Sequence, residues 1–460
     1  YKQNHLTAMG YGQSTGVTHL VLNHVVNPTE LFIKSGVDVE LRNEYNQRVT
    51  NFFGLVSISS SDPLFFPPVN HNFMPWEKTF AFTNFEWHTP GMHWLKATAL
   101  GDTNIFGIES NIVVSSGNNG AFVVDIAPAV LAGQWQTLTV TAVADDGRPD
   151  TNYVGTVHFE SWESSGAMDL PPDTFFGPGD MGAKVFPNSI RFKFPGNARF
   201  QVRDQIFQAR NGMASTDVFP QGGGTTTHFM VDILDQPVLA QDTHGMIIVA
   251  LDDNGLVNTS HTAAVSNYSA AGTFSINPCT LFTNGIAILR DCFQPSVGGA
   301  ALIRTAQASD TNVFGLTTVF VSAPSTFYYV NKLGSDGLAG TNSATAFLHI
   351  NYAAQIANPG DVVVVMPGRY PENVVVSNSG TLFQNITFIG DKRGRFGGRR
   401  GPVTIQTAGS PAFEGQAKSF IQIAGFTFLS TNMTQTGIVV SNSPRWRIVD
   451  NYFGGWGRSI

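Results

Sequence analysis

Two near-identical hexapeptides decide the fold: Asp102–Gly107 reads DTNIFG and Asp310–Gly315 reads DTNVFG. A degenerate copy, Asp204–Phe207 (DQIF), lies about midway between them. This spacing predicts three tandem units of roughly 100 residues each. A unit of that length can close its own hydrophobic core, so we expect separate domains joined in series rather than a thin solenoid.

The composition favours β-sheet and excludes two classes of partner. Only 13% of the 460 residues are charged, while Phe (36) and Gly (47) are abundant, which disfavours long exposed helices. The formal net charge of -7 is too small to steer the chain onto nucleic acid or a membrane surface. No apolar run approaches the roughly 20 residues that a membrane span needs. We therefore expect no nucleic-acid partner and no direct membrane insertion.

Short alternating strands separated by turn residues recur in each unit. In the second unit, Leu138–Val143 alternates at period two, the turn Asp145–Gly147 follows, and Tyr153–Phe159 alternates again. Units one and three repeat this order with Val37–Leu41 and Met246–Leu251. Strands of this length, with turns about every 8–12 residues, are typical of an all-β sandwich.

The stretch Val140–Ser161 has the form VTA-x-x-DDG…Y-x-GTV-x-F-x-S, which resembles the tandem immunoglobulin-like repeats of bacterial surface proteins. Ser60–Pro63 (SSDP) matches the segment that follows the same strand in that family. The resemblance is good residue by residue in units one and two, and in unit three it rests on position and the shared hexapeptide. It implies a stalk, spacer or adhesive module outside the cell, and it implies no catalytic residues.

The pattern changes after Pro324. Gly334–Gly337 reads GSDG and Pro359–Tyr370 reads PGDVVVVMPGRY, with one short helix predicted between them, from about Phe347 to Ile356. Short strands with Asn, Gly and Ser corners then recur at a spacing that indicates a parallel β-helix. They are predicted at 386–390, 403–405, 420–423, 438–440 and 447–451.

The PGD motif resembles the capping start of right-handed parallel β-helices of the pectate-lyase type. That resemblance is specific for the fold and poor for activity, because the same cap opens lyases, hydrolases, phage tailspikes and inert surface proteins. The strand pattern is still running at Ile460. We expect either that the chain continues or that another subunit covers that end.

The expected fold is all-β, with three tandem immunoglobulin-like β-sandwiches followed by the start of a right-handed parallel β-helix. Joins rich in small residues, at 115–120 and 222–224, are predicted to be flexible linkers. The predicted domains are an N-terminal extension (1–14), immunoglobulin-like domains at 15–117, 118–222 and 225–323, and the β-helix domain at 325–460 with its cap at about 327–370.

The two cysteines, Cys279 and Cys292, flank Asn284-Gly285, which is the strongest short-range hairpin signal. A hairpin closed there would place the two sulfurs at opposed positions of paired strands. We therefore predict a disulfide, which implies an oxidising compartment. Two buried free thiols, or a lone redox pair, are the alternatives.

One strong charge run lies in the fourth domain, and its cations are Lys392, Arg393, Arg395, Arg399 and Arg400. Arginine forks match sulfate, carboxylate and phosphate groups, so the run is a candidate polyanion-binding loop. The alternative is a solvated loop inserted between two coils, with glycines for its turns.

Paired acids in two hairpin turns are weak candidate calcium ligands: Asp145 with Asp146, and Asp252 with Asp253. Neither turn completes a D-x-D-x-D loop, so ordinary turn chemistry is the alternative. We expect no other cofactor.

Among the carboxylates of the fourth domain, Asp336 and Asp361 belong to turns of the cap, where an Asx side chain accepts backbone N–H groups. The other four are scattered and never stack at one rung position, so we predict no catalytic residues. An acid pair assembled across coils remains open. The carboxylates considered are Asp336, Asp361, Glu372, Asp391, Glu414 and Asp450.

We therefore expect a non-catalytic extracellular structural or adhesive protein, a subunit of a bacterial surface layer, filament or adhesin. Its expected partners are copies of itself, with cell-surface glycans as further ligands. Two alternatives stay open: a secreted polysaccharide lyase or glycoside hydrolase with active coils beyond residue 460, and a virus tail fibre or tailspike.

Overall fold

The computed structural model describes residues 16–30, 33–89, 91–115, 120–164, 166–407, 411–430 and 436–454. The predicted N-terminal extension, 1–14, lies outside these ranges, as do residues 116–119 of the first predicted linker. Within them the fold is all-β, as predicted, with one short α-helix and one 3₁₀ helix, Pro178–Asp180. Among the described residues, no helix is long and apolar enough to cross a membrane.

The first eighteen strands mostly alternate buried and exposed side chains, as strands do when one face lies on a core. In chain order they are β1 (His19–Asn23), β2 (Thr29–Glu30), β3 (Ser35–Arg42), β4 (Gly54–Ser60), β5 (His71–Phe73), β6 (Thr79–Phe85), β7 (Gly91–Ala99), β8 (Phe106–Ser115), β9 (Gly120–Asp125), β10 (Ala129–Leu131), β11 (Trp135–Ala144), β12 (Gly155–Ser161), β13 (Met168–Asp169), β14 (Thr174–Phe176), β15 (Ala183–Phe192), β16 (Gly196–Asp204), β17 (Asn211–Phe219) and β18 (Gln221–Gly222).

The chain divides into two compact units, and the first comprises Tyr1–Asn118, Thr151–Thr156 and Phe175–Gly182. Within it, sheet A has the order β1-β3-β6 and sheet B the order β2-β8-β7-β4-β5. One apolar cluster takes side chains from both sheets, such as Val39 from sheet A and Leu95 from sheet B. Two sheets that share one core in this way form a β-sandwich.

The second unit comprises Asn119–Asp150, Val157–Thr174 and Ala183–Ile460. Its first part holds sheet C, with the order β13-β15-β11-β9, and strands β10-β17-β16-β12 of sheet D. The rings of Phe159 on β12 and Phe186 on β15 lie 5.1 Å apart, so the two sheets pack face to face.

A ten-stranded sheet, sheet E, follows in the second unit. Its main path is β18-β22-β21-β19-β27-β26-β23, and its core includes Met246 and Val321, both without exposed surface. Its further strands are β19 (His228–Ile233), β20 (Val238–Leu239), β21 (His244–Leu251), β22 (Val257–Asn258), β23 (Val265–Tyr268), β24 (Gly272–Phe274), β25 (Ile286–Pro295), β26 (Gly299–Gln307) and β27 (Phe314–Ser322).

The last part of the second unit is built from short parallel strands and one helix. These elements are β28 (Phe327–Val330), α1 (Ile350–Ile356), β29 (Val362–Val365), β30 (Gly368–Tyr370), β31 (Val374–Val375), β32 (Ile386–Gly390), β33 (Val403–Thr407), β34 (Phe413–Gln416), β35 (Ile421–Ala424), β36 (Phe426–Ser430), β37 (Ile438–Ser441), β38 (Arg447–Val449) and β39 (Tyr452–Gly454).

These strands form three parallel sheets that the chain visits in rotation. Sheet F has the order β28-β29-β32-β35-β38, sheet G β30-β33-β36-β39 and sheet H β31-β34-β37. From β29 onwards, each strand therefore belongs to the next sheet in the cycle F, G, H. One apolar cluster, including Val363, Phe388 and Phe413, lies inside the three sheets. The predicted strand at 386–390 coincides with β32, and the predicted helix forms three residues later than expected but ends at Ile356.

A glycine on the last strand of each antiparallel repeat explains why the hexapeptides end as they do. These glycines are Gly107 on β8, Gly212 on β17 and Gly315 on β27. A Cβ atom on any of them would lie 2.1 Å from a carbonyl oxygen of the facing first strand, β1, β9 or β19. No side chain fits at that distance, so the first and last strands of each repeat can meet only at glycine.

The predicted flexible join at 222–224 is wrong, because the structure holds this segment in place. Strand β18 pairs in parallel with β22, from Gln221 opposite Val257 to Gly222 opposite Asn258. A Cβ atom on Gly224 would lie 2.6 Å from a carboxylate oxygen of Asp252. The small residues here permit close packing, and the sequence pattern of a linker does not distinguish that role from flexibility.

The predicted disulfide is not supported either, because Cys279 and Cys292 are both free and buried. The Asn284-Gly285 turn forms, but it closes only the bridge between Thr283 and Ile286. Cys279 pairs through its backbone with Val265 instead, so the hairpin does not place the two cysteines opposite each other. Burial raises the pKa of both thiols.

Candidate functional site

The basic run lies in the loop between β32 and β33, residues 391–401, which we call the strap. Asp391 organises it: the carboxylate accepts backbone N–H groups from Arg395 (2.7 Å), Phe396 (3.0 Å) and Gly397 (2.8 Å). Burial raises the pKa of Asp391, while these three hydrogen bonds act in the opposite direction. Further backbone hydrogen bonds close the loop, among them Gly401 N–H to the Lys392 carbonyl at 3.1 Å. The strap is therefore a built loop rather than a disordered insertion.

Two strap arginines reach the strands and turns of sheet E. Arg393 donates to the Asp235 carboxylate at 2.7 Å and to the Leu234 carbonyl at 3.1 Å. Arg395 pairs with Asp242 at 2.5 Å and donates to a nearby backbone carbonyl at 2.6 Å. These contacts tie the strap to both sides of the short strand β20.

Two more arginines reach sheet C. Arg400 pairs with Asp125 on β9 through two hydrogen bonds, one of them 2.9 Å long. Arg399 lies 3.4 Å from Asp146, in the hairpin turn that follows β11. Both partners come from an element far earlier in the chain, so the strap connects the parallel sheets to sheet C as well as to sheet E.

The first pair of calcium candidates therefore belongs to the same site as the basic run. Asp146 contacts Arg399 and Arg148. Asp145 is half-buried beside Lys332 and Arg369, and its pKa is raised by burial while these two cations act to lower it. The turn packs so closely that a Cβ atom on Gly147 would lie 2.7 Å from the Pro367 ring. In this turn, the carboxylates face cations of the same chain.

The second pair of calcium candidates serves its own turn. One oxygen of Asp252 accepts N–H groups from Asn254 at 2.9 Å and Leu256 at 3.0 Å. Asp253 follows it at an exposed position of the turn. Within the residues that the structure describes, no group of three or more His, Cys, Asp or Glu side chains could hold a metal ion.

An apolar seam lies beneath the strap. Leu239 of sheet E packs with Val362, Val364 and Ile389 of sheet F, and each of the four is at most 6% exposed. Phe396 of the strap adds a ring 5.9 Å from that of Phe327, at the margin of this cluster. Burial of apolar surface supplies the attraction here, and the strap's ion pairs surround it.

Polar contacts extend the same seam along sheet F. Ser322 donates to the Gln422 side chain at 3.1 Å, and both residues are buried. Arg447 lies 3.3 Å from the Gln236 side-chain oxygen and over the Phe320 ring. Because burial disfavours its charged form, the pKa of Arg447 is lowered.

Lys392 is the one strap cation among the predicted five that pairs within the parallel-sheet region, with Asp450 at 2.7 Å. A crevice of about 40 Å³ lies beside this pair and is lined also by Pro237 and Phe396. The five predicted cations are thus all paired with carboxylates of this chain. Binding of an external polyanion by the same loop stays a prediction.

Three further carboxylates of this region, those of Asp336, Asp361 and Glu372, make local structural contacts. Asp336 accepts from the His349 ring at 2.6 Å, and Glu372 accepts the N–H groups of Ile350 and Asn351 at 3.0 and 2.9 Å, at the start of α1. Burial raises the pKa of Glu372. Asp361 accepts the N–H of Asn358 at 2.8 Å, which is the turn role expected of an Asx side chain.

Sequence reasoning missed the acceptors of the strap: Asp125, Asp235 and Asp242. They carry no local signal, because Asp235 lies 158 residues and Asp125 lies 275 residues before the arginine that each one binds. Single aspartates in turns or on exposed strand faces are common. Only the fold brings them to the strap.

No protein-family model and no curated protein matches this sequence. Similar solved structures include Yersinia pseudotuberculosis InvD, at 13% identity and a TM-score of 0.30, covering 66% of this chain and 96% of that chain. Surface layer protein SbsC, domains 4–9, matches at 14% identity and a TM-score of 0.21, covering 68% of this chain and 48% of its own. Invasin, a bacterial integrin-binding protein, matches at 11% identity and a TM-score of 0.22, covering 66% and 60%. Likenesses at these scores establish neither a fold nor a function for this chain.

Proposed function

We propose that this chain is a non-catalytic structural or adhesive protein that acts outside the cell, as a subunit of a bacterial surface layer, filament or adhesin. In this proposal, residues 15–117, 118–222 and 225–323 are three immunoglobulin-like domains, and residues 325–460 are the start of a right-handed parallel β-helix. Copies of the same chain are its main partners, and cell-surface glycans are further ligands.

The division into three antiparallel domains is supported by the repeated glycine. Gly107, Gly212 and Gly315 meet the first strand of their repeat at the same 2.1 Å spacing. Equivalent crossings of first and last strands in three consecutive stretches of chain are what a tandem repeat predicts.

The assignment of a β-helix is supported by the order in which the chain visits sheets F, G and H. Each return to sheet F pairs in parallel with the strand before it, for example Val363 with Phe388 and Phe388 with Ile423. A coil that stacks on its predecessor in this way pairs through parallel strands rather than antiparallel hairpins, and its side chains fill a continuous core.

A structural role is supported most directly by the strap. Four of its arginines bind carboxylates outside the parallel-sheet region, around an apolar seam. A brace of this kind stiffens a chain against bending between its domains, which suits a protein that transmits load or fixes a spacing in an array. A catalytic loop would instead direct its charges into an open cleft.

Electron microscopy of the purified full chain, over a range of protein concentrations, tests the proposed function. We expect ordered arrays or fibres. A chain that remains a monomer and depolymerises an acidic glycan would contradict the proposal. A glycan-degradation assay on the same preparation separates these two outcomes.

A further inference from the structure

A buried histidine lies directly under the strap. His244 begins β21 and has no exposed surface. Its Nε2 atom lies 3.1 Å from both the backbone N–H and the carbonyl of Leu239. On another side, the guanidinium Nη2 of Arg395 lies 3.3 Å from Nδ1 and 3.4 Å from Nε2. The ring is therefore enclosed between the backbone of sheet E and a cation of the strap.

The charged groups that face this histidine belong to the strap's own contacts. Asp242 pairs with Arg395, and Asp235 pairs with Arg393. Burial is the main cause that lowers the pKa of His244, and the Arg395 charge lowers it further, while the Leu239 backbone, Asp242 and Asp235 act to raise it. At neutral pH the ring is uncharged, and a neutral ring tolerates the guanidinium beside it.

We propose that the strap is an acid-released latch between the parallel sheets and sheet E, with His244 as its proton sensor. Protonation places a second cation against Arg395 inside a buried contact. Withdrawal of Arg395 uncovers the side of the ring that the strap closes, so that the imidazolium gains water and keeps Asp242 and Asp235 as partners. Proton uptake by His244 and detachment of the strap from sheet E are therefore coupled.

The sign of the effect follows from linkage. The closed strap holds His244 with a lowered pKa, so the histidine contributes to closure above its ordinary pKa of about 6.5, and that contribution is lost as the pH falls below this value. Asp391 acts in the opposite direction, because burial raises its pKa and its proton uptake favours the closed strap. Between pH 7.5 and 5.5, His244 alone increases the population of the released strap by at most about tenfold, the limit for a closed strap that admits no proton.

Hydrogen exchange of the full chain at pH 7.5, 6.5 and 5.5, corrected for the chemical exchange rate at each pH, tests the latch. The probes are the strap amides of Arg395, Phe396 and Gly397, which donate to Asp391. In the natural chain we expect their protection to fall across this range, by at most about tenfold, because Asp391 opposes part of the effect of His244. In His244→Gln, which cannot take up the proton, we expect no fall in protection, since the sensor is absent and Asp391 alone favours closure as the pH falls.

His261→Gln is the matched control. His261 is also a buried histidine of the same sheet region, with a pKa lowered by burial, but it binds Thr226 and the Ala263 carbonyl rather than the strap. We expect the strap of this variant to respond to pH like that of the natural chain. A full acid response in His244→Gln would overturn the latch, as would a natural chain whose strap protection does not change.

A second measurement needs no variant and covers the case in which His244→Gln does not fold. The ring protons of His244, followed by NMR in the natural chain, should titrate below the ordinary pKa of about 6.5, while the protection of the strap amides begins to fall at that value. A His244 ring that titrates while the strap amides stay protected would overturn the proposal. Neither result depends on whether the chain assembles, so the latch and the proposed function fail independently.

Discussion

Two arginine–aspartate pairs in the second unit join residues far apart in sequence, yet they lie in opposite environments. Arg210 has no exposed surface, donates to Asp150 at 2.9 Å and lies over the Phe122 ring. Arg400 of the strap is half-exposed, and so is its partner Asp125. The first pair is part of a core, where an unpaired charge is costly; the second is at a margin, where water can replace either partner. The buried pair therefore contributes to the stability of its own sheets, whereas the half-exposed pair only connects one group of sheets to another.

The largest expected effect comes from breaking the buried pair. Arg210→Met removes the guanidinium and leaves the Asp150 carboxylate in its buried site, so we expect the free energy of unfolding to fall by about 3–5 kcal/mol. Urea denaturation of the full chain measures this loss. The double variant Arg210→Met with Asp150→Leu should recover much of it, because neither charge of the pair is then left buried without the other. A single-variant loss below about 1 kcal/mol would contradict the contrast between the two pairs.

A second effect sharpens the same contrast at glycine positions. Gly315→Ala places a Cβ atom 2.1 Å from a carbonyl oxygen of β19, so strands must move apart. We expect a loss of about 1–3 kcal/mol, measured by urea denaturation. Gly223→Ala is the control, since no atom lies within 4 Å of a Cβ atom built there, and it should leave the unfolding midpoint nearly unchanged. Equal losses in the two variants would show that the crossing does not require glycine.

Removal of the Arg400–Asp125 pair of the strap should change the free energy of unfolding far less. Arg400→Gln removes the half-exposed ion pair with Asp125, and we expect a loss of about 0–1 kcal/mol. A double-mutant cycle with Asp125→Asn measures the coupling between the two side chains. Coupling above about 2 kcal/mol would mean that the pair acts as a core contact despite its exposure.

Salt gives the smallest expected effect. At about 1 M ionic strength the screening length falls to about 3 Å, so the partly exposed strap pairs weaken while the Arg210 pair stays shielded by its surroundings. Protection of the strap amides should decrease in salt, and the amides of β16 and β17 beside Arg210 should not change. Equal losses of protection in salt at the strap and at β16 and β17 would show that the exposed and buried ion pairs do not differ in this way.

Short sequence patterns predicted the strands and turns well, because these elements depend mainly on residues that are neighbours in sequence. The alternation of Leu138–Val143 lies within β11, and the valine run that follows Pro359-Gly360 forms β29. The two hexapeptides end at Gly107 and Gly315, the positions where the last strand of a repeat approaches its first strand most closely. They therefore located two of the three close approaches. In the second repeat the hairpin is longer, so the DQIF copy marks the turn while Gly212, farther along, marks the crossing.

Contacts between distant segments could not be predicted in the same way. The glycines at 222–224 have the composition of a linker, and only the nearness of Asp252 shows that they are packed. Cys279 and Cys292 flank a true hairpin turn, yet Val265 takes the backbone position opposite Cys279. The basic run was recognised as a candidate site, but its partners on β9 and beside β20 depend on the assembled second unit.

The most direct test compares hydrogen exchange in the natural full chain with that in a variant carrying Arg393→Gln, Arg395→Gln, Arg399→Gln and Arg400→Gln. If the strap is a brace, the segments around Asp125, Asp146 and Asp242 should lose protection in the variant, although they lie far from the substitutions in sequence. If those segments keep their full protection while the variant loses affinity for a sulfated glycan, the loop is a ligand site and the brace is refuted.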